Sequence, residues 1–156
     1  MSEHLFEPIS SLELAAYMIR LCAEKSIPTN ITKTQKLVYC AYGAVLGKFG
    51  CRLVTEYPTA LEHGPVFTEL LAALQFFKPE GFLGHETPEA DALPDAVKAI
   101  IGETVTTFGQ HEPLILMNWL MSSGTPWHQA TKGGKTLFGR IPDDVTTEWF
   151  RRVVLN

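Results

Sequence analysis

The sequence predicts a mainly α fold, a single compact helical domain with about six helices and room for one short β-hairpin. Apolar residues recur at three- and four-residue spacing in several segments of helical length, the period of a buried helix face. Proline and glycine separate those segments, and β-forming residues alternate only between Cys51 and His63. With 156 residues, 46% of them hydrophobic, the chain suits one domain, taken as residues 1–156 with its core at about 10–153.

The first two helices are predicted from capping residues and apolar spacing. Ser10 to Ser26 forms the first, because the Ser10 hydroxyl can cap it and Glu13 can reach back to complete a capping box. Its expected buried stripe is Leu12, Ala15, Ala16, Ile19, Cys22 and Ala23. The second begins near Ile31 or Thr32 and ends at Phe49, where Gly50 supplies a left-handed turn. Small residues on its inner face favour the close approach of another helix, so it is predicted to be central.

The middle of the chain is predicted to be less regular. The alternation from Arg52 to Tyr57 favours an extended segment or a hairpin, which Pro58 interrupts. Pro65 suits the first turn of a third helix running to Phe77, since the missing N–H costs nothing there. Residues 78–93, rich in Pro, Gly and Glu, are expected to form a long surface loop.

Three further helices are predicted in the C-terminal half. Their segments are Pro94 to Phe108, Glu112 to Met121, and a last helix opening at Ile141 to Asp144, where acidic residues suit the positive helix start. A Gly-rich linker at 132–135 precedes the last one. The Glu112 segment is expected to be broadly buried through Leu114, Leu116, Met117, Leu120 and Met121.

The search for catalytic chemistry finds little. The five histidines are His4, His63, His85, His111 and His128, and no two stand three or four apart, so zinc ligation has little support. His63 beside Glu62 is the best acid–base candidate, although a turn histidine bonding backbone before Gly64 is the simpler interpretation. We therefore expect no enzyme, metal or cofactor, and rank a small hydrolase using His63 or His128 last.

Charge and cysteine usage favour a cytoplasmic protein. The formal net charge is −4, no apolar run is long enough for a membrane span, and no signal peptide is visible. Cys22 and Cys40 fall on apolar helical stripes, which suggests reduced, core-packed thiols. A basic cluster consists of Lys132, Lys135, Arg140, Arg151 and Arg152. It keeps nucleic-acid binding open, with the steep salt dependence that phosphate contacts bring.

Four sequence blocks resemble a known family in their order and spacing. They are Ile31 to Ala41, which contains Thr-Gln-Lys-Leu-Val-Tyr; Ala60 to Val66, which reads Ala-Leu-Glu-His-Gly-Pro-Val; Pro126-Trp127; and Ile141 to Asp144 followed by Trp149-Phe150. Together they resemble the Panacea domain family, which occurs in bacterial and prophage proteins and is related to phage-associated proteins. The family-signature positions here are Leu37, Ala60, Gly64, Pro65, Val66, Pro126, Trp127, Ile141 and Phe150. Leu61 departs from the family, where tryptophan is common, and Ser122 or Ser123 stands where histidine often precedes the Pro-Trp element.

The resemblance implies an antitoxin-like protein that binds and neutralises a cognate toxin of a bacterial or prophage toxin–antitoxin locus. The expected partner is a toxin encoded by a neighbouring gene. One branch of the family acts as a proteolytic adaptor, so an ATP-dependent protease is a second expected partner. Neither nucleic acid nor a membrane is an expected partner. The alternative is a prophage-associated transcriptional regulator or nucleic-acid-binding protein.

Candidate partner-binding residues follow from the same blocks: Gln35, Lys36, Tyr39, His63 and Trp127. Gln35 and Lys36 are expected to face away from the Leu37 stripe and donate hydrogen bonds to a partner. An equally favoured alternative is that Lys36 is a solvated charge on the helix surface. Trp127 either plugs the domain or anchors a partner, and the plug is favoured.

Overall fold

A central helix organises the chain, with shorter helices and one hairpin packed around it. The computed structural model describes residues 5–155, in which eight α-helices and one two-stranded hairpin occur. The elements are α1 (Ser11–Glu24), α2 (Ile31–Phe49), β1 (Thr59–Leu61), β2 (Gly64–Val66), α3 (Thr68–Phe77), α4 (Pro88–Asp91), α5 (Asp95–Phe108), α6 (Pro113–Leu120), α7 (Pro126–Ala130) and α8 (Asp143–Trp149). A 3₁₀ turn at Pro79–Phe82 follows α3, and a π-helical turn at Phe150–Val154 extends α8. The mainly α prediction is confirmed.

Helix α2 is buried on every side from Lys33 to Gly47. The side chain of Asn30 caps its start by accepting a hydrogen bond from Lys33 N at 2.7 Å, and Gly50 ends it with φ of 70°. Helices α1, α3, α5, α6 and α8 contact it. Because these helices enclose α2 on every side, its predicted bounds and central position are confirmed.

The π-helical turn that extends α8 approaches α2 closely because two glycines face it. A Cβ on Gly43 would lie 2.5 Å from Phe150 Cδ2, and one on Gly47 would lie 2.7 Å from Leu155 Cδ1. Both distances are far inside van der Waals contact. The fully buried Phe150 ring occupies the space that a larger residue at 43 would need, which confirms the predicted close-packing face of α2.

The hairpin lies further along the chain than predicted. Thr59 pairs with Val66 and Leu61 with Gly64, in antiparallel register. Within the predicted segment 52–57, only Val54 pairs, through a parallel bridge to Ile9. A strand needs backbone partners: residues 59–61 have β2 on one side and the segment 138–141 on the other. Residues 52–57 have only the chain around Ile9.

The start of α3 is set by contacts distant in sequence, which corrects the prediction for Pro65. Pro65 lies inside β2, and α3 begins only at Thr68. The Glu56 carboxylate accepts hydrogen bonds from Glu69 N at 3.0 Å and Leu70 N at 3.2 Å, and also from the Ser11 hydroxyl. Because this buried carboxylate caps the helix from outside its own sequence, no local signal marks Thr68.

Residues 78–93 form more structure than the predicted surface loop. They contain the 3₁₀ turn and α4, and bury Phe82, Ala90 and Leu93. Glu13 Oε1 accepts hydrogen bonds from Glu89 N at 2.5 Å and Ala90 N at 3.0 Å. Glu13 therefore caps α4 instead of completing a capping box on α1, where the Ser10 hydroxyl accepts from Leu12 N.

Two predicted buried faces are partly wrong. On α1, Leu12 and Ala23 are exposed, whereas Leu14 and Met18 are buried. On α6, Leu116 and Leu120 are buried, but Leu114 is 64% exposed. Each helix buries the face turned towards its neighbours, which apolar composition alone does not identify.

The predicted burial of the Cys22 and Cys40 thiols is confirmed. Burial raises the pKa of Cys40 to about 12. Among residues 5–155 no helix is both long and apolar enough to cross a membrane.

Candidate binding cleft beside the hairpin

Gln35 fastens α2 to the chain between the hairpin and α3. Its amide Nε2 donates to Phe67 O at 3.0 Å, and its Oε1 accepts from Phe67 N at 3.0 Å. Phe67 is fully buried, so this reciprocal pair satisfies two backbone groups that would otherwise be stranded. The expectation that Gln35 faces outward is wrong.

Lys36 lies beneath the hairpin and is also turned inward. Lys36 is only 2% exposed, and its Nζ donates a hydrogen bond to Pro65 O at 3.1 Å. Burial lowers the pKa of Lys36 to about 8, since it disfavours the charged form. A Cβ on Gly64, where φ is 113°, would lie 3.0 Å from Nζ. Glycine at 64 therefore serves both the tight turn and the close approach of the ammonium group.

Trp127 closes the other side of the hairpin. Its indole Nε1 donates to Leu61 O at 2.8 Å, and its ring is buried. The Thr125 hydroxyl caps the short helix α7 by accepting from His128 N, which fixes the orientation of the tryptophan. The plug interpretation of Trp127 is confirmed.

The segment 138–141 runs alongside β1 and completes the frame. Phe138 N donates to Ala60 O at 2.8 Å, Ala60 N donates to Gly139 O at 2.8 Å, and Ile141 N donates to Pro58 O at 3.0 Å. The hairpin is thus held by α2, α7 and this segment together. The four sequence blocks, spread from Ile31 to Phe150, converge mainly on one small hairpin.

A cleft of about 310 Å³ opens beside this frame, between α2, the hairpin, α3 and the segment 138–141. It is lined by Ile31, Thr32, Gln35, Lys36, Leu61, Glu62, His63, Val66, Leu71 and Phe138. The lining combines apolar side chains with one buried amine and exposed polar groups. We refer to these ten residues as the hairpin cleft.

Phe138 is the most unusual residue of the hairpin cleft. Its side chain is 75% exposed, and its backbone has φ of 73°. A bulky residue in this left-handed region is rare and strained by roughly 1–3 kcal/mol. The two backbone hydrogen bonds that join 138–139 to Ala60 hold it there. Phe138 lies outside every sequence block that predicts a site, and its only local signal is a large aromatic residue beside glycine in a turn-rich segment.

The remaining candidate residues divide between core and surface. Tyr39 is fully buried, with ring centroids 6.5 Å from Phe67 and 6.0 Å from Phe150, and burial raises its pKa. Tyr39 is therefore part of the core and is not available at the surface. His63 is exposed on the hairpin turn, with Nε2 3.6 Å from Glu62 Oε1.

Three basic residues near the C-terminus have partners within the protein. Arg151 Nε donates to Gly47 O at 2.7 Å, Arg152 pairs with Glu148 at 3.1 Å, and the Arg140 guanidinium lies 3.5 Å from the centroid of the Tyr57 ring. In residues 5–155 no group of three or more His, Cys, Asp or Glu side chains is placed to hold a metal ion.

A second depression, of about 210 Å³, lies between α1 and the 3₁₀ turn. Phe77, Phe82 and His85 form part of its wall. None of the four sequence blocks borders it, so the hairpin cleft is the better candidate site.

The fold and the hairpin cleft define a mainly α protein with a partly apolar surface cleft. Comparison with family models, with curated proteins and with solved structures finds no match for this chain. The resemblance to the Panacea domain family therefore depends on the four sequence blocks themselves.

Proposed function

We propose that this chain is an antitoxin-like protein that binds and neutralises a toxin encoded by a neighbouring gene, using the hairpin cleft as its contact surface. The observation that carries the proposal is Phe138, an exposed aromatic side chain held in a strained backbone conformation beside an apolar cleft. Strain retained in a native structure is most often found at ligand-binding or switching positions.

Phe138 has the properties of an interface anchor. In the isolated chain its ring gains little from burial, while its backbone carries strain of roughly 1–3 kcal/mol. Burying an exposed aromatic ring in a partner's pocket would recover the apolar contribution, and such rings dominate many protein interfaces. The partly exposed Leu61 and Leu71 beside it extend the apolar surface.

The family-signature residues have a different role in this proposal. Gly64, Pro65 and Trp127 build and hold the hairpin, whereas several cleft-lining residues, such as Leu71 and Phe138, lie outside the signature. Signature residues thus hold the hairpin in this proposal, and residues outside the signature supply much of the surface that would contact the toxin.

The test is colony survival in a bacterial host that expresses the neighbouring gene, with and without this protein. Phe138→Ser should reduce affinity roughly tenfold or more and abolish rescue. Phe76→Ser is the matched control, because Phe76 is 79% exposed but does not line the hairpin cleft. It should rescue like the unsubstituted protein.

Two outcomes would count against the proposal. If the neighbouring gene kills and this protein gives no rescue, the antitoxin role is wrong. If Phe138→Ser and Phe76→Ser both rescue fully, neutralisation occurs but does not use the hairpin cleft. Repeating the rescue in hosts that lack individual ATP-dependent proteases separates direct neutralisation from the proteolytic-adaptor mode.

A further inference from the structure

We propose that the hairpin cleft recognises the C-terminal residue of its protein partner, with the apolar side chain in the cleft and the α-carboxylate on the Lys36 ammonium group. The inference deepens the proposed function, since the partner is the protein that the cleft binds. It names the chemistry of recognition, which the resemblance does not supply.

Lys36 has hydrogen-bonding capacity that the described part of the chain does not use. A lysine ammonium has three N–H donors, and among residues 5–155 its acceptor is the carbonyl oxygen of Pro65, at 3.1 Å. No carboxylate pairs with it in that part of the chain. A buried cation without an anionic partner is costly, and this one borders an open cleft. An anion that entered from the cleft would supply the partner that Lys36 lacks.

Lys33 shows that burial alone does not produce this arrangement. It also lies on α2, is 5% exposed and donates to one carbonyl, Gly109 O, at 2.7 Å. It borders a different and more polar groove, formed with residues such as Ser26, Asn30 and Gln110. Of these two buried lysines, only Lys36 combines the free donors with an apolar cleft.

The lining and the volume of the hairpin cleft limit the ligand that it can accept. Ile31, Leu61, Val66, Leu71 and Phe138 supply apolar surface, which favours an apolar group on the ligand. A volume of about 310 Å³ is at the lower end for small-ligand sites. It suits one large side chain with a carboxylate beside it.

The ligand must carry an apolar side chain and a carboxylate close together. In an extended peptide, neighbouring side chains point to opposite faces, so a side-chain carboxylate on the same face as an apolar residue belongs to a residue two positions away, about 6.6 Å along the chain. At a C-terminal residue the apolar side chain and the α-carboxylate share one Cα. A C-terminal apolar residue therefore satisfies the cleft and the cation simultaneously.

The protonation of Lys36 provides an independent readout. Burial lowers its pKa to about 8, and a carboxylate within hydrogen-bond distance favours the charged form. Affinity for a carboxylate should therefore fall as pH rises above 8. The other titratable groups near it are Cys40, whose pKa burial raises to about 12, and Glu62 and His63, which line the same cleft.

The experiment compares three small probes on the whole protein by NMR titration: N-acetylphenylalanine, its amide, and N-acetyl-glutamyl-phenylalanine amide. The free acid should bind in the millimolar range, shift resonances of Ile31, Leu61 and Leu71, and bind at least tenfold more tightly than the amide. Raising the pH from 7.5 to 9.5 should weaken acid binding severalfold and leave amide binding unchanged. These comparisons need no variant.

Two matched variants complete the test. Lys36→Met should remove the preference for the acid, while Lys33→Met should keep it within about twofold. Equal binding of acid and amide, or shifts confined to other surfaces, would overturn the inference. If the dipeptide amide binds as tightly as the free acid, the carboxylate comes from a side chain and the assignment to a C-terminus is wrong.

The inference and the proposed function can fail separately. Rescue that depends on Phe138, without any acid preference, would retain the antitoxin role and overturn C-terminal recognition. Acid-selective binding by a protein that fails to relieve killing would retain the recognition chemistry and overturn the antitoxin role.

Discussion

The close crossing of α2 and α8 can be tested by adding a single methyl group. In Gly43→Ala the new Cβ would lie 2.5 Å from Phe150 Cδ2 and closer still to Cε2 and Cζ. Carbon atoms in contact are normally about 3.5–4.0 Å apart, so the ring must retreat by roughly an ångström or more. Phe150 is fully buried, and its ring packs on Tyr39 at 6.0 Å and Trp149 at 5.0 Å between centroids. Neither neighbour leaves it room to move.

The expected net effect is a loss of about 2 kcal/mol in the free energy of unfolding. Overpacking of a core typically costs about 1–3 kcal/mol, and an overlap across a whole ring edge belongs at the upper end. Replacing glycine by alanine within a helix returns about 1 kcal/mol through propensity. For a chain of 156 residues, a loss of this size lowers the Tm by roughly 4–8 °C.

Urea unfolding followed by far-ultraviolet circular dichroism measures the change. Gly102→Ala is the matched control, because Gly102 lies in the middle of α5 and an added Cβ would meet nothing within 4 Å. It should gain up to about 1 kcal/mol from the same propensity term. If Gly43→Ala is as stable as Gly102→Ala, the crossing is looser than described and the packing argument is wrong.

Two further predictions concern the residues that hold the hairpin. Because the folded-state pKa of Lys36 is lowered to about 8, the unfolded chain binds more protons between pH 8 and about 10.4. Burial of the charged Lys36 amine thus destabilises the folded state by roughly 3 kcal/mol below pH 8. This penalty is relieved as the pH rises. Lys36→Met should therefore be more stable than the unsubstituted protein at pH 7 and lose that advantage by pH 10.5. A stability difference that does not change with pH would contradict the argument. Gln35→Ala strands the buried N–H and C=O groups of Phe67 and should cost about 2–4 kcal/mol in the urea experiment, whereas a loss under about 0.5 kcal/mol would mean that other groups replace the amide.

The placement of the candidate site was only partly predictable. The blocks around Gln35-Lys36, Ala60 to Val66 and Trp127 were identified as important, and the structure brings them to one hairpin. The direction of Gln35 and Lys36 was predicted wrongly, because polar residues on a helix are normally directed towards water. Here the acceptors at Pro65 and Phe67, about thirty residues later, draw them inward.

The mainly α fold and the bounds of its central helix follow from short-range signals in the sequence. Apolar spacing, Asn30 at the start of α2 and Gly50 after its end are signals that act over a few residues. The starts of α3 and α4 depend on tertiary contacts, since Glu56 and Glu13 cap those helices from distant positions. The same holds for Phe138, whose strained backbone is fixed by β1. Contacts between residues far apart in the chain follow from packing, and no short sequence window contains both partners.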